Sequence, residues 1–212
     1  MAVRSFVLLG MPGWGSVLAE AALVWCGWPY MFENIAGFAE PGPARDRLLA
    51  INPLAQVPTL VLPGGAILTE SAAIGLYLAD QAPAAGLMPP AGHPARATSL
   101  RWLVWMVAAV YPSFTYGDHP ERWAPGDAAT LRTATDAHRE ELWRWFETQV
   151  SQTGPWCLGE TFSLLDIYVA AMTRWRPRRP WFADHCPRLT RIALAAEALP
   201  KLAPVWARNF PS

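Results

Sequence analysis

Every strand-like pattern in this chain lies ahead of a proline-rich stretch, Pro83 to Pro94, and none recurs behind it. A sheet must therefore be completed within the first part of the chain, and the remainder must fold from helices alone. The apolar run Phe6 to Leu9 reads as a buried strand that ends in the tight loop Gly10-Met-Pro-Gly-Trp-Gly15. Ser16 then stands as an N-cap for a helix over Val17 to Cys26, stopped by Gly27. Tyr30 to Ile35 reads as a second strand, and Ala44 to Ile51 as a short helix ending before Pro53. Val57 to Leu62, the turn Pro63-Gly64-Gly65 and Ala66 to Leu68 form a hairpin pattern. Thr69-Glu70-Ser71 opens a helix through about Ala79, with Ala73, Ile74, Tyr77 and Leu78 at helical spacing. The order is βαβαββα, which predicts a mixed sheet with helices on its faces.

Pro83 to Pro94 reads as a linker, placing one domain at 1–82 and an all-α domain at 95–212. Helical patterns run over Arg96 to Tyr111, Ala128 to Val150, Leu164 to Trp175, Arg188 to Ala198 and Leu202 to Ala207. Ser163-Leu-Leu-Asp166 ahead of Ile167 is a capping-box-like pattern with Asp in place of the usual Glu or Gln, and it nucleates a buried helix. Arg174, Arg176, Arg178 and Arg179 surround Pro177 at a helix C-terminus. There cations offset the dipole and solvate the surface; the alternative is an anionic partner.

Composition narrows the functional classes. Lys+Arg and Asp+Glu are equal at 17 each, so no net field draws the protein to nucleic acid or to an anionic membrane. The longest unbroken apolar run, Trp102 to Tyr111, is well short of the roughly 18–20 residues that span a bilayer. The three cysteines are far apart, and no cysteine–histidine spacing suits zinc; this predicts no metal and a reducing, cytoplasmic setting.

Chemistry concentrates at two places in the first half. Gln56-Val57-Pro58-Thr59-Leu60 begins a strand with proline, and Glu70-Ser71 begins a helix directly after the hairpin. Main-chain N–H groups, the Ser71 hydroxyl and the helix dipole together suit a carboxylate, although the same pair also reads as a plain N-cap.

Taken in order, Asn52-Pro53 ahead of Gln56-Val57-Pro58, Glu70-Ser71-Ala72-Ala73-Ile74, and Ser163-Leu-Leu-Asp166 resemble the bacterial-type cytosolic glutathione S-transferases across essentially the whole chain. The resemblance implies a thioredoxin-like N-terminal domain followed by an all-α helical bundle. It also implies glutathione as co-substrate, conjugation to small hydrophobic electrophiles of the detoxifying kind, and a homodimer. Val57 would pair with the cysteinyl unit of glutathione across a cis Val57–Pro58 bond. Glu70 and Ser71 would hold the γ-glutamyl end, and Gln56 would lie near the glycyl end, with the tripeptide adding to a free strand edge.

Such enzymes stabilise the glutathione thiolate, which attacks the electrophile. The family's tyrosine position falls at Leu9, and its serine or cysteine positions at Gly13, Trp14 and Gly15. Ser16 is the remaining hydroxyl between Phe6 and Gly27, read either as thiol donor or as a simple N-cap; Tyr111 or Tyr116 are alternative donors. Met11, Trp14, Met106, Tyr111, Phe114 and Tyr116 read either as the wall of the second-substrate site between the domains or as core between them. Two other readings stay open: a glutathione-dependent isomerase or lyase, and a non-catalytic protein of the same fold that binds apolar ligands or a protein partner. The missing hydroxyls and thiols at 13–15 favour the non-catalytic one.

Overall fold

A computed structural model of the chain describes residues 5–211. These form two compact units: the residues up to Met88 together with those from Glu197 onward, and Pro89–Ala196. The sequence reading placed everything after 94 in one helical domain, so the return of the C-terminal residues to the first unit is a difference that only long-range packing produces.

The first unit carries β1 (Phe6–Gly10), α1 (Ser16–Cys26), β2 (Tyr30–Asn34), α2 (Pro43–Leu49), β3 (Thr59–Val61), β4 (Ile67–Thr69) and α3 (Ser71–Gln81) in the expected βαβαββα order. The sheet order is β2-β1-β3-β4. β1 and β2 are parallel, while β3 runs antiparallel to both β1 and β4. A central strand covered on both faces reads as a continuous apolar run and not as an alternation, which is what Phe6 to Leu9 show. Leu9 packs with Ile35, Phe38, Leu48 and Ala55 beside α2; Leu8 points to the opposite face by strand alternation and is equally buried. Residues Ser16 to Leu23 of α1 are all buried. Gly27 ends that helix in the left-handed region at φ 75°, and the Trp28 N–H closes back on the Leu23 carbonyl at 3.0 Å.

The second unit carries α4 (Ala95–Trp105), α5 (Tyr111–Asp118), α6 (Ala128–Gln149), α7 (Leu164–Met172), α8 (Arg179–His185) and α9 (Pro187–Glu197). The helix expected over Arg96 to Tyr111 runs on to Asp118 through a π turn, Met106–Val110, in which the Tyr111 N–H donates to the Met106 carbonyl. Pro112 follows at once and has no N–H to give. The wider turn takes up that break in the ladder, and the Ser113 hydroxyl donates to the Val110 carbonyl at 2.6 Å.

Every residue of α7 is buried, and its start is the capping box read from the sequence. Asp166 accepts the Cys157 N–H and the Ser163 N–H, each at 2.7 Å, and the Ser163 hydroxyl at 3.0 Å. Burial pushes its carboxyl up to about 6 although these donors oppose the shift.

The arginine cluster does not sit at one helix end as expected, because α8 begins within it. Arg176 pairs with Asp118 at 2.5 Å and donates to the Gly117 carbonyl at 3.0 Å. Arg179 donates to the Ala170 carbonyl near the end of α7 at 3.1 Å, where a cation suits the dipole.

The last helix, α10 (Ala203–Asn209), belongs to the first unit. Leu202, Val205 and Trp206 are buried, and the Lys201 ammonium donates to the Trp25 carbonyl at 2.5 Å. No helix among the described residues is long and apolar enough to cross a membrane.

Candidate functional site

The strand register gathers the residues singled out in the first half at one end of the sheet. Leu9 pairs with Thr59, and Thr59 pairs with Thr69. The exit of β1, the entry to β3 and the exit of β4 therefore lie side by side. Neighbouring strands are about 4.8 Å apart, so the turn after β1 and the start of α3 are about 10 Å from each other across the row. Val57-Pro58 stands between them.

The entry to β3 is tightly fixed. Asn52 is buried; its amide donates to the Gln56 carbonyl at 3.2 Å and the Thr59 hydroxyl at 3.0 Å, and its oxygen accepts the Leu54 N–H at 3.1 Å. The Thr59 hydroxyl donates to the Gln56 carbonyl at 2.8 Å. The Val57–Pro58 peptide is cis. Gln56 is exposed and Val57 half-buried. One expectation is corrected here: β3 has no free edge, because β1 and β4 pair with all three of its residues. The main chain left outside the ladder on this side is that of Val57, ahead of Thr59.

At the exit of β4, Glu70 is the N-cap of α3 and holds φ 64°, ψ 113°. That conformation is costly for a side-chain-bearing residue, on the order of 1–3 kcal/mol, and such strain recurs at ligand sites. Its carbonyl accepts the first helical bond, from the Ile74 N–H at 2.9 Å. Glu70 is exposed and Ser71 half-buried at the first position of the helix.

The turn after β1 differs from expectation. The N-cap of α1 is Gly15, and Ser16 is the first helical residue. The Ser16 hydroxyl is fully buried. It donates to the Met11 carbonyl at 2.9 Å and accepts the Met11 N–H at 3.1 Å. It closes the turn on itself in place of capping the helix. Gly10 permits this, since a Cβ there would lie 2.5 Å from that of Ser16. Met11 packs against the Leu9–Phe38 cluster, and Trp14, 39% exposed, meets Phe38 edge to face at 5.4 Å.

The remaining expected lining residues lie in the second unit. Met106 is fully buried and Phe114 nearly so. Tyr111, Phe114 and Trp175 pack edge to face, with Arg139 stacked 4.4 Å over Phe114. Tyr116 is more open; it packs on Trp123 and borders a groove between α5 and α6 with Pro112, Thr135 and His138.

A buried polar cluster around Glu20 escaped the sequence reading. Glu20 is buried in α1 and accepts from the Tyr30 hydroxyl at 2.8 Å, from Arg208, and from the Asn209 amide at 2.7 Å. Burial and this carboxylate push the Tyr30 phenol up to about 12. The lone acid in Ser16-Val-Leu-Ala-Glu20-Ala-Ala-Leu23 was a signal that a partner exists, since a buried charge needs one. Nothing local named that partner.

Known proteins resemble this chain in sequence and fold. The family described as "Glutathione S-transferase, N-terminal domain" matches residues 19–81. The chain is 42% identical over 200 residues to the uncharacterized GST-like protein YncG of Escherichia coli (strain K12), covering 94% of this chain and 96% of that one. It is 32% identical over 133 residues to the glutathione S-transferase GstA of Escherichia coli O157:H7, covering 61% and 62%. Among solved structures, a glutathione transferase homologue from Sulfitobacter with bound glutathione superposes with a TM-score of 0.83 at 26% identity, covering 95% of this chain and 97% of that one. The chain belongs to the glutathione S-transferase superfamily, with its thioredoxin-like domain and helical domain.

Proposed function

We propose that the protein is a glutathione-dependent transferase that binds the tripeptide along the row Leu9–Thr59–Thr69 and directs its thiolate at small apolar electrophiles. The observation that carries this reading is the register that brings the turn after β1, Val57-Pro58 and Glu70-Ser71 to one sheet end. An extended tripeptide spans about 10 Å, the width of that row. Glu70 meets the γ-glutamyl ammonium, while Ser71 and the first N–H groups of α3 meet its carboxylate. Val57 pairs its main chain with the cysteinyl unit, and Gln56 lies toward the glycyl end. The thiol then faces the turn after β1, with Met11 and Trp14 beside it.

Ser16 is not assigned the thiol, because its buried hydroxyl is engaged twice by Met11. The thiolate is stabilised instead by the Gly15 and Ser16 N–H groups at the start of α1 and the helix dipole. The same observation favours a second reading, a glutathione-binding protein without conjugating activity. A bound thiol that titrates where free glutathione does, together with no turnover on an electrophile panel, selects that reading. Glu70→Ala and Ser71→Ala each remove a charge-assisted hydrogen bond of about 1.5–3 kcal/mol, so calorimetry should show glutathione affinity roughly ten- to a hundred-fold weaker. Unchanged affinity in both folded variants removes the site, and no binding by the wild type removes the reading. We further infer a homodimer. Val104, 55% exposed on α4, supports an apolar contact there, and sedimentation showing only monomer at micromolar concentration overturns it.

A further inference from the structure

The turn between β1 and α1 is held from the opposite end of the chain. Asn209, only 4% exposed in the last turn of α10, donates from Nδ2 to Glu20 Oε2 at 2.7 Å and to the Val205 carbonyl at 2.9 Å. Both partners can only accept, so the amide has a single satisfactory orientation. Its oxygen is thereby aimed at the turn, where it accepts the Gly13 N–H at 3.1 Å. Gly13 holds φ 79°, and a Cβ there would lie 3.2 Å from the Asn209 carbonyl oxygen. Glycine suits the left-handed backbone here, and a side chain would also press on α10. Glu20 is itself fixed by Tyr30 and Arg208. A polar relay runs from β2 through α1 and α10 to the middle of the turn, while Ser16 ties the start of the turn at Met11.

We propose that Asn209 is a positioning residue for thiol activation, holding the Met11–Gly15 turn so that the Gly15 and Ser16 N–H groups at the start of α1 face the glutathione sulfur, the Val17 and Leu18 N–H groups being bonded to the Trp14 and Gly15 carbonyls. The proposal rests on the glutathione reading above. Glu70 and Ser71 act from the start of α3, at the far side of the row, so loss of the Asn209 amide falls on the thiol and not on the grip at the γ-glutamyl end.

The test follows the thiolate absorbance of bound glutathione against pH in the full-length protein, with calorimetry under conditions where the thiol is protonated. Asn209→Ala should raise the thiol midpoint by about one pH unit, a tenfold loss of thiolate below it, while affinity for the protonated form stays within about twofold. Hydrogen exchange at the Gly13 amide should quicken in the same variant without glutathione. Lys201→Ala removes the contact of the Lys201 ammonium with the Trp25 carbonyl, outside the relay, and should move neither readout, whereas a merely structural anchor would make the two variants alike. Gly13→Ala disturbs the same contact from the turn and should shift the midpoint in the same direction, which keeps the test decisive if Asn209→Ala folds poorly. An unmoved midpoint in a variant that still binds glutathione overturns the inference and leaves the binding site standing. Unchanged Gly13 exchange in Asn209→Ala overturns it independently of any ligand. A wild type that binds no glutathione overturns the reading beneath it.

Discussion

Among the described residues each unit buries one carboxylate, and the two are satisfied in opposite ways. Asp166 in the helical unit is answered within its own neighbourhood, by main-chain and hydroxyl donors of Cys157 and Ser163. All of them are uncharged. Glu20 in the sheet unit is answered by a phenol, a guanidinium and an amide, two of them from the last helix of the chain. A local box makes one helix start where it does. A long-range cluster joins chain segments that no local preference would bring together, at the greater cost in chain entropy that such closure carries.

Breaking each cluster should separate the two roles. Asp166→Ala removes the acceptor of two buried N–H groups at once and should cost the most, roughly 3–5 kcal/mol in urea unfolding. A loss below about 1 kcal/mol would mean that water replaces the carboxylate and that α7 does not depend on the box. The sign of the pH dependence sharpens the same point. The Asp166 carboxyl titrates at about 6 in the folded protein, above the ordinary 3.8, because burial outweighs its donors. Its contribution is therefore full below about pH 4 and is lost as pH rises through about 6. The stability margin of the wild type over Asp166→Asn should shrink across that window and stay level above it. A margin that widens with pH would show that the hydrogen bonds outweigh desolvation.

Glu20→Ala should cost less, on the order of 2–3 kcal/mol, because Arg208 is half exposed and can turn to water. Its distinguishing effect should be faster amide exchange in α10 and at Gly13, with α7 unaffected. Equal loosening of both units would show that the clusters are not independent. Ser163→Ala should cost about 1 kcal/mol, as lost caps do, and leave glutathione affinity unchanged. The smallest effect is expected at the strained residue of the site. Glu70→Gly relieves a positive φ and should alter stability by no more than about 1 kcal/mol, in the stabilising direction, while glutathione affinity falls about tenfold or more. Weakened stability there would mean that Glu70 is held by the fold and not for the ligand.

What could be read without the structure follows the range over which each interaction acts. Strand and helix order, the hairpin, the Ser163–Asp166 box and the pairing of Pro58 with Glu70-Ser71 all depend on residues close in the chain, where spacing and turn chemistry are visible. The hairpin pattern ends at Leu68, and the structure extends β4 by one residue to pair Thr69 with Thr59, which the opening of the next helix at Thr69 had hidden. The π turn at Met106 was hidden because apolar spacing before Pro112 fits an α-helix equally well; only the missing N–H forces the wider turn. Ser16 was misplaced by one position at a helix end, and that single step separates a capping hydroxyl from one that locks Met11.

The sequence by itself determined the two-part architecture, because periodicity and capping are short-range physics. Only the tertiary structure decided that α10 returns to the sheet unit, that Glu20 meets Arg208 and Asn209, and that Asn209 holds Gly13. Those contacts join residues separated by nearly the whole chain. Such a pairing leaves no mark on local composition beyond one unexplained acid in an apolar helix, because its energy appears only once the intervening chain has folded.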